Sequence, residues 1–167
     1  MNRMRAALVA CTCVLVVSAS IVAQDSPKPT TKAPPAAGSQ SGREYSGMYS
    51  FLEDGEFVQI TVEDDSKVTG YVSRYGEGGS DKGTFVEHFF RSGKLEGNKL
   101  TFSTGTVDNL WFDFKGTVER GAGQNPGDEA YYVLKGMLTD NRLDAAKKVT
   151  SHLREVVFKM FPAVSST

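Results

Sequence analysis

The chain has 167 residues and a mass of 18.1 kDa, with 19 Lys+Arg against 20 Asp+Glu. That length suits one domain with a tail and excludes a pair of ordinary catalytic domains. A net charge of −1 without a basic run excludes a surface that tracks nucleic-acid phosphates, and 40 % hydrophobic with 23 % charged residues is a globular balance.

Residues 1–23 read as a secretory signal peptide. Arg3 and Arg5 supply the positive start, Ala6 to Val22 is uncharged and mostly apolar, and Ala23 puts a small residue at the cleavage position. The stretch approaches bilayer-spanning length. Its small and polar residues, and the prolines that follow, favour cleavage over anchoring, so no membrane span is expected afterwards. Leu8-Val9-Ala10-Cys11 has the look of a lipoprotein signal, but the apolar run before Cys11 is too short for lipidation. Cys11 and Cys13 are the only cysteines, so the mature chain, expected to be secreted or periplasmic, has neither a disulfide nor a thiol ligand. Cleavage removes two arginines and no acids, leaving 17 Lys+Arg against 20 Asp+Glu. Residues 24–43 carry Pro27, Pro29, Pro34 and Pro35 among Ser, Thr, Ala and Lys, and read as a disordered spacer.

From residue 44 to 162 the pattern changes to short runs of period two, each bounded by turn residues. The predicted strands are 44–52, 56–63, 67–75, 84–91, 99–104, 109–119, 130–139 and 151–161, with 163–167 as a tail. In the second, Val58, Ile60 and Val62 alternate with Gln59, Thr61 and Glu63; in the sixth, Leu110, Phe112, Phe114 and Val118 share a face. The last is ambiguous, since Ala146, Val149, Leu153, Val156, Val157 and Met160 also fit a helical face. The β-branched and aromatic run Val156–Phe161 favours a strand, with a helical turn at 144–148 before it. Gly70, Gly116 and Gly136 each take an inward position between apolar residues, where a sheet must bend. Together these features predict an all-β, eight-stranded antiparallel up-and-down meander barrel. A β-sandwich, or an open barrel with a C-terminal helix, is the alternative.

Gly47-Met48-Tyr49, followed by Gly55, Ile60 and Val68-Thr69-Gly70, resembles the opening of avidin-like and lipocalin-like (calycin-type) barrels, which begin with Gly-x-Trp and continue through a similar hairpin. The resemblance covers the first three strands and implies a closed barrel that binds small molecules. Position 49 is Tyr and Trp111 is the only tryptophan, so the aromatic box that avidin-like proteins close around biotin cannot be assembled. On the lipocalin side, the arginine that packs across the first-strand aromatic corresponds to Arg142 or Arg154.

Chemical motifs are sparse. Residues 76–84 run Lys82-Gly83-Thr84 rather than Gly-Lys-Thr, with no helix to follow, so they are a hairpin loop and not a phosphate cradle. Asp64-Asp65 and Asp140-Asn141 lack calcium-loop spacing. The two histidines, His88 and His152, stand in no metal-binding arrangement, and no Gly-x-Ser-x-Gly nucleophile or N-x-[ST] acceptor occurs. Neither a cofactor nor a catalytic residue is expected, and a non-enzymatic role follows. If the strands alternate, one rim gathers Arg74, Glu87, His88, Asp108, Trp111, His152 and Arg154 beneath the 76–83 loop and the long 140–150 connection. These seven are the candidate ligand-binding residues, for a small apolar ligand entering at that rim. Against this, Phe85, Phe89, Phe90, Phe112, Phe114 and Phe158 have the bulk to fill the interior. The alternative function is a protein-interaction or inhibitor-type domain contacting a partner through Tyr71, Tyr75, Trp111 and Tyr131. The domain itself is expected to be monomeric.

Overall fold

The computed structural model describes residues 42–78 and 81–163; the expected signal peptide and nearly all of the spacer lie outside the described residues. A 3-10 turn, Arg43–Tyr45, leads into eight strands: β1 Gly47–Ser50, β2 Phe57–Val62, β3 Val68–Tyr75, β4 Phe85–Glu96, β5 Lys99–Thr104, β6 Leu110–Arg120, β7 Tyr132–Leu143 and β8 Val149–Lys159. They form one sheet in chain order, every neighbour antiparallel. The up-and-down meander is therefore as the period-two pattern predicts, and neither the sandwich nor the C-terminal helix occurs. The expected helical turn at 144–148 is instead a β-turn. Lys147 N–H donates to the Asp144 carbonyl, and the Asp144 side chain accepts from the N–H groups of Ala146 and Lys148.

The sheet curls until its two ends meet, over a short length. Tyr49 bridges Met160, Phe161 N–H donates to the Met48 carbonyl at 2.8 Å, and Lys159 N–H donates to Ser50 Oγ at 2.9 Å. β1 has four residues and β8 eleven, so the first half of β8 runs past the end of β1. Curvature comes from glycine. Gly116 and Gly136 oppose each other across β6 and β7, and a Cβ on Gly136 would stand 2.4 Å from the Gly116 Cα. Gly70, at φ +149°, lies so close to β2 that a Cβ would meet the Gln59 carbonyl at 1.9 Å.

The inward face is a continuous series of rings. Phe90 stacks on Phe102 at 4.4 Å, Phe102 on Phe114 at 5.2 Å, and Phe114 reaches Phe158 at 6.0 Å. Phe158 then touches Phe51, Phe51 meets Phe112 edge-on, and Phe112 meets His88. With Tyr49, Val58, Ile60, Val72, Leu134 and Leu138 these rings bury the core. A large side chain fully buried in this way contributes about 1.5–3 kcal/mol. Phe85 and Phe89 depart from expectation: they face outward, 53 % and 61 % exposed. The strand positions Val86, His88 and Phe90 inward, and strict alternation sends 85 and 89 to the opposite face. Between Phe90 and Ser92 the register shifts by a bulge, after which the odd-numbered Leu95 faces inward. Among the described residues no helix is long and apolar enough to cross a membrane.

Candidate functional site

The end of the barrel that collects the β1–β2, β3–β4, β5–β6 and β7–β8 connections is its mouth. A cavity of about 200 Å³ opens there. Leu52, Glu53 and Glu56 of the first connection form one wall, Arg74 and Glu77 the second, Leu110 and Phe112 the floor, and Asp140, Arg142 and Arg154 the far side. A second cavity of about 320 Å³ shares Arg74, Glu77 and Arg142 and extends to Gly76, Gly78, Asp81 and Asp108.

Period two explains why charged groups point into an apolar barrel. The register Leu110↔Arg142 and Phe112↔Asp140 carries the inward face of β6 onto β7, and Leu138↔Arg154 carries it onto β8. Arg74 follows Val72 on the inward side of β3 and is buried. Its Nε donates to His88 Nε2 at 3.1 Å and its Nη1 to the Tyr75 carbonyl at 2.7 Å; Glu77 Oε1 stands 3.7 Å from Nη1. Nη2 makes no hydrogen bond among the described residues.

His88 is wholly buried, and because Nε2 accepts from Arg74 the neutral ring carries its proton on Nδ1. That atom is buried without a hydrogen-bond partner among the described residues. Burial, and secondarily the Arg74 charge, lowers the His88 pKa to about 4; the nearby backbone of Gly105 and Leu110 and the Asp108 carboxylate offset only part of this. The imidazole is thus a neutral acceptor that orients the guanidinium. Opposite it, Glu56 Oε1 accepts from Tyr75 N–H at 2.9 Å and Oε2 from Glu53 N–H at 3.2 Å. Burial raises the Glu56 pKa despite these bonds. Arg142 donates to Glu77 Oε2 at 2.7 Å, and Arg154 pairs with Asp140.

Of the seven candidates from sequence, Arg74 and His88 come together, Arg154 lines the same cavity, and Asp108 lines the adjoining one. The other three do not join them. Glu87 is exposed on the outer face opposite Ser73, Trp111 lies half-buried on the outer face beside Asn141, and His152 is exposed on the overhanging half of β8. Glu87 is therefore one strand-face away from His88. Glu53, Glu56, Glu77, Asp140 and Arg142 are the wall residues that sequence reading missed. A signal existed for three of them: Glu56 continues the inward parity of Val58 and Ile60, and Asp140 and Arg142 that of Leu134 and Leu138. Among the described residues no group of three or more His, Cys, Asp or Glu is placed to hold a metal ion.

At the opposite end of the barrel Met48, Tyr131, Tyr132, Met160 and Phe161 border an apolar cleft of about 490 Å³. It is larger than either cavity at the mouth but receives no buried polar group; Arg120 covers the Tyr131 ring at 3.3 Å from its centre. The mouth, which joins buried charge to an open cavity, is the better candidate for selective recognition.

No protein-family model and no curated protein matches this sequence. Solved structures do match its fold. Rhizavidin superposes with a TM-score of 0.54 at 12 % identity, covering 72 % of this chain and 85 % of its own. Intact afifavidin in its apo form gives 0.54 at 15 % identity, covering 77 % and 93 %. A rhizavidin–biotin complex gives 0.50 at 14 % identity, covering 69 % and 98 %. At such identities the likeness is one of architecture: the protein is an all-β up-and-down meander with an avidin-like fold.

Proposed function

We propose that the protein is a non-enzymatic binding protein that takes a small molecule through the mouth of its barrel. The observation that carries this reading is Arg74, a buried guanidinium held at the cavity wall by His88 and the Tyr75 carbonyl, with one nitrogen left unbonded. Burying a permanent charge costs stability unless it is paired and hydrogen-bonded. A group of this kind at a cavity is what a polar ligand would complete. The fold it shares with rhizavidin, whose solved complex holds biotin, supports a barrel open to a small ligand. Biotin itself is not the ligand we propose, because Tyr49 is buried in the core with its hydroxyl on the Tyr45 carbonyl and Trp111 faces away from the interior. In place of the small, largely apolar ligand expected from sequence, we infer one with a polar inner end, since rings already fill the space beneath the mouth. Action after export, as the N-terminal sequence suggests, and as a monomer, belongs to the same reading.

Native mass spectrometry of protein purified from its own host tests it. A retained small molecule is expected, and it should be lost when Leu52→Trp fills the cavity. An empty wild-type protein, or a molecule retained equally by Leu52→Trp, would count against the mouth as the site.

A second reading rests on the outer face of β2, β3 and β4. Phe57, Tyr71 and Phe89 follow one another at 5.9 and 5.4 Å, and Tyr75 stacks on Phe85 at 4.7 Å. An exposed aromatic strip of this kind favours a protein partner. Of the four contacts expected from sequence, Tyr71 and Tyr75 belong to the strip.

A further inference from the structure

We infer that the ligand of this mouth is a small organic anion, and that the Glu77 carboxylate occupies the anion's position until the ligand displaces it. The inference rests on the binding role proposed above and specifies its chemistry. Glu77 lies just beyond β3, with its side chain 61 % exposed, yet its carboxylate reaches in to straddle two guanidiniums. Oε2 accepts from Arg142 Nη2 at 2.7 Å, and Oε1 stands 3.7 Å from Arg74 Nη1. The second distance is an ion pair without a hydrogen bond. The protein's own carboxylate thus marks where an anion is attracted, but it does not satisfy Arg74. An anion small enough to enter could reach the unbonded Nη2 edge and form the paired hydrogen bonds that a guanidinium offers a carboxylate.

Charge balance on the cavity wall agrees. Arg74, Arg142 and Arg154 face Glu53, Glu56, Glu77 and Asp140. Asp140 is paired with Arg154, and both Glu56 oxygens accept backbone N–H groups. Glu77 is therefore the carboxylate whose departure releases two cationic partners at once. A ligand carboxylate taking its place keeps the net charge of the site unchanged and gains both guanidiniums, whereas a neutral ligand leaves the Glu77–Arg142 pair intact and reaches only the unbonded Nη2 of Arg74. The cavity volume suits a molecule of modest size, and the apolar floor of Leu110 and Phe112 suits a short hydrocarbon portion.

Calorimetric titration with hexanoate and its uncharged counterpart hexanamide tests the inference on the full chain. Hexanoate should bind at least tenfold more tightly than hexanamide, about the worth of one charge-assisted hydrogen bond. Glu77→Gln, an exposed change that leaves the core untouched, should tighten hexanoate by about tenfold, the size of one charge-assisted hydrogen bond that need no longer be broken. Arg142→Gln should weaken hexanoate. Equal binding of the two compounds, or hexanoate affinity unchanged or reduced in Glu77→Gln, overturns the inference. If hexanoate fails while neutral molecules still bind at the mouth, the anion preference is wrong and the binding site stands. If nothing binds at the mouth, both are wrong.

Discussion

Single residues at the mouth are held by burial working against charge, which makes His88 a measurable reporter. Its pKa in the fold is about 4, below the ordinary 6.5, because burial and Arg74 disfavour the imidazolium. The unfolded chain therefore binds more protons than the folded one between those values. The contribution of neutral His88 is complete above about pH 6.5 and is lost as pH falls towards 4, by up to about 3 kcal/mol. Glu56 acts in the opposite sense: its raised pKa lets the folded state take up a proton before the unfolded one does, which adds stability as the solution becomes acidic. An NMR titration of the His88 ring is expected to show a midpoint near 4, with urea unfolding weaker at pH 4.5 than at 7.5. A midpoint at or above 6.5 would contradict the buried neutral ring. The Arg74–His88 pairing was only half legible in the sequence. Both were candidates, but His88 stood among exposed candidates, and nothing local distinguishes it from His152.

At the scale of elements, the strands are stabilised by their glycines inside and by polar cross-strand links outside. A Cβ on Gly116 would meet the Lys135 carbonyl at 2.3 Å and the Phe114 ring at 2.6 Å, with Gly136 directly across. Gly116→Val is therefore expected to destabilise the barrel by at least about 1–3 kcal/mol, as overpacking does, and chemical unfolding checks it. A variant as stable as wild type would show that the β6–β7 approach is looser than described. On the outer face Ser103 donates to Asp113 at 2.5 Å, Asn141 donates to Asp113 at 2.7 Å, and Ser151 donates to Asn141 at 2.6 Å, linking β5 to β8. Asp113→Ala leaves the half-buried Ser103 and the buried Asn141 without their acceptor, and a loss of about 1–3 kcal/mol is expected. A change below about 0.5 kcal/mol in denaturant unfolding would show that solvent replaces the acceptor at little cost. Most strands were legible because Val58-Ile60-Val62 and Leu110-Phe112-Phe114 alternate cleanly. β4 was not, because Phe89 and Phe90 are adjacent aromatics and only one can face inward. The bulge after Phe90 reverses parity, and Ser92-Gly93 just beyond it reads as the start of a turn, so β4 continues to Glu96 where a connection was expected. The turn at 144–148 was misread because Ala145-Ala146-Lys147-Lys148 favours helix locally, while Asp144 closes a β-turn around it.

For the whole molecule, closure explains both the site and its limits. The four-residue β1 meets β8 only near Met160, so the barrel closes at that end, while Phe51, Phe112 and Phe158 fill the lumen beneath the polar mouth. Turns and parity made the meander legible and pointed to the rim where the cavity opens, but not to how far the interior beneath it stays open. That depends on the length of β1 and on where Phe51, Phe112 and Phe158 fill the lumen. The wall charges at Glu56, Asp140 and Arg142 sit at strand ends, where a polar residue reads equally well as the start of a turn. The mouth, where buried charge meets an open cavity, is the proposed place of binding. Amide shift mapping of isotope-labelled protein against a library of small acids and neutral molecules tests it most directly. Bound compounds are expected to perturb Leu52–Glu56, Arg74–Glu77, Leu110–Phe112 and Asp140–Arg142 together. Perturbations confined to the outer strip of Phe57, Tyr71, Phe85 and Phe89, with the mouth silent, would contradict it.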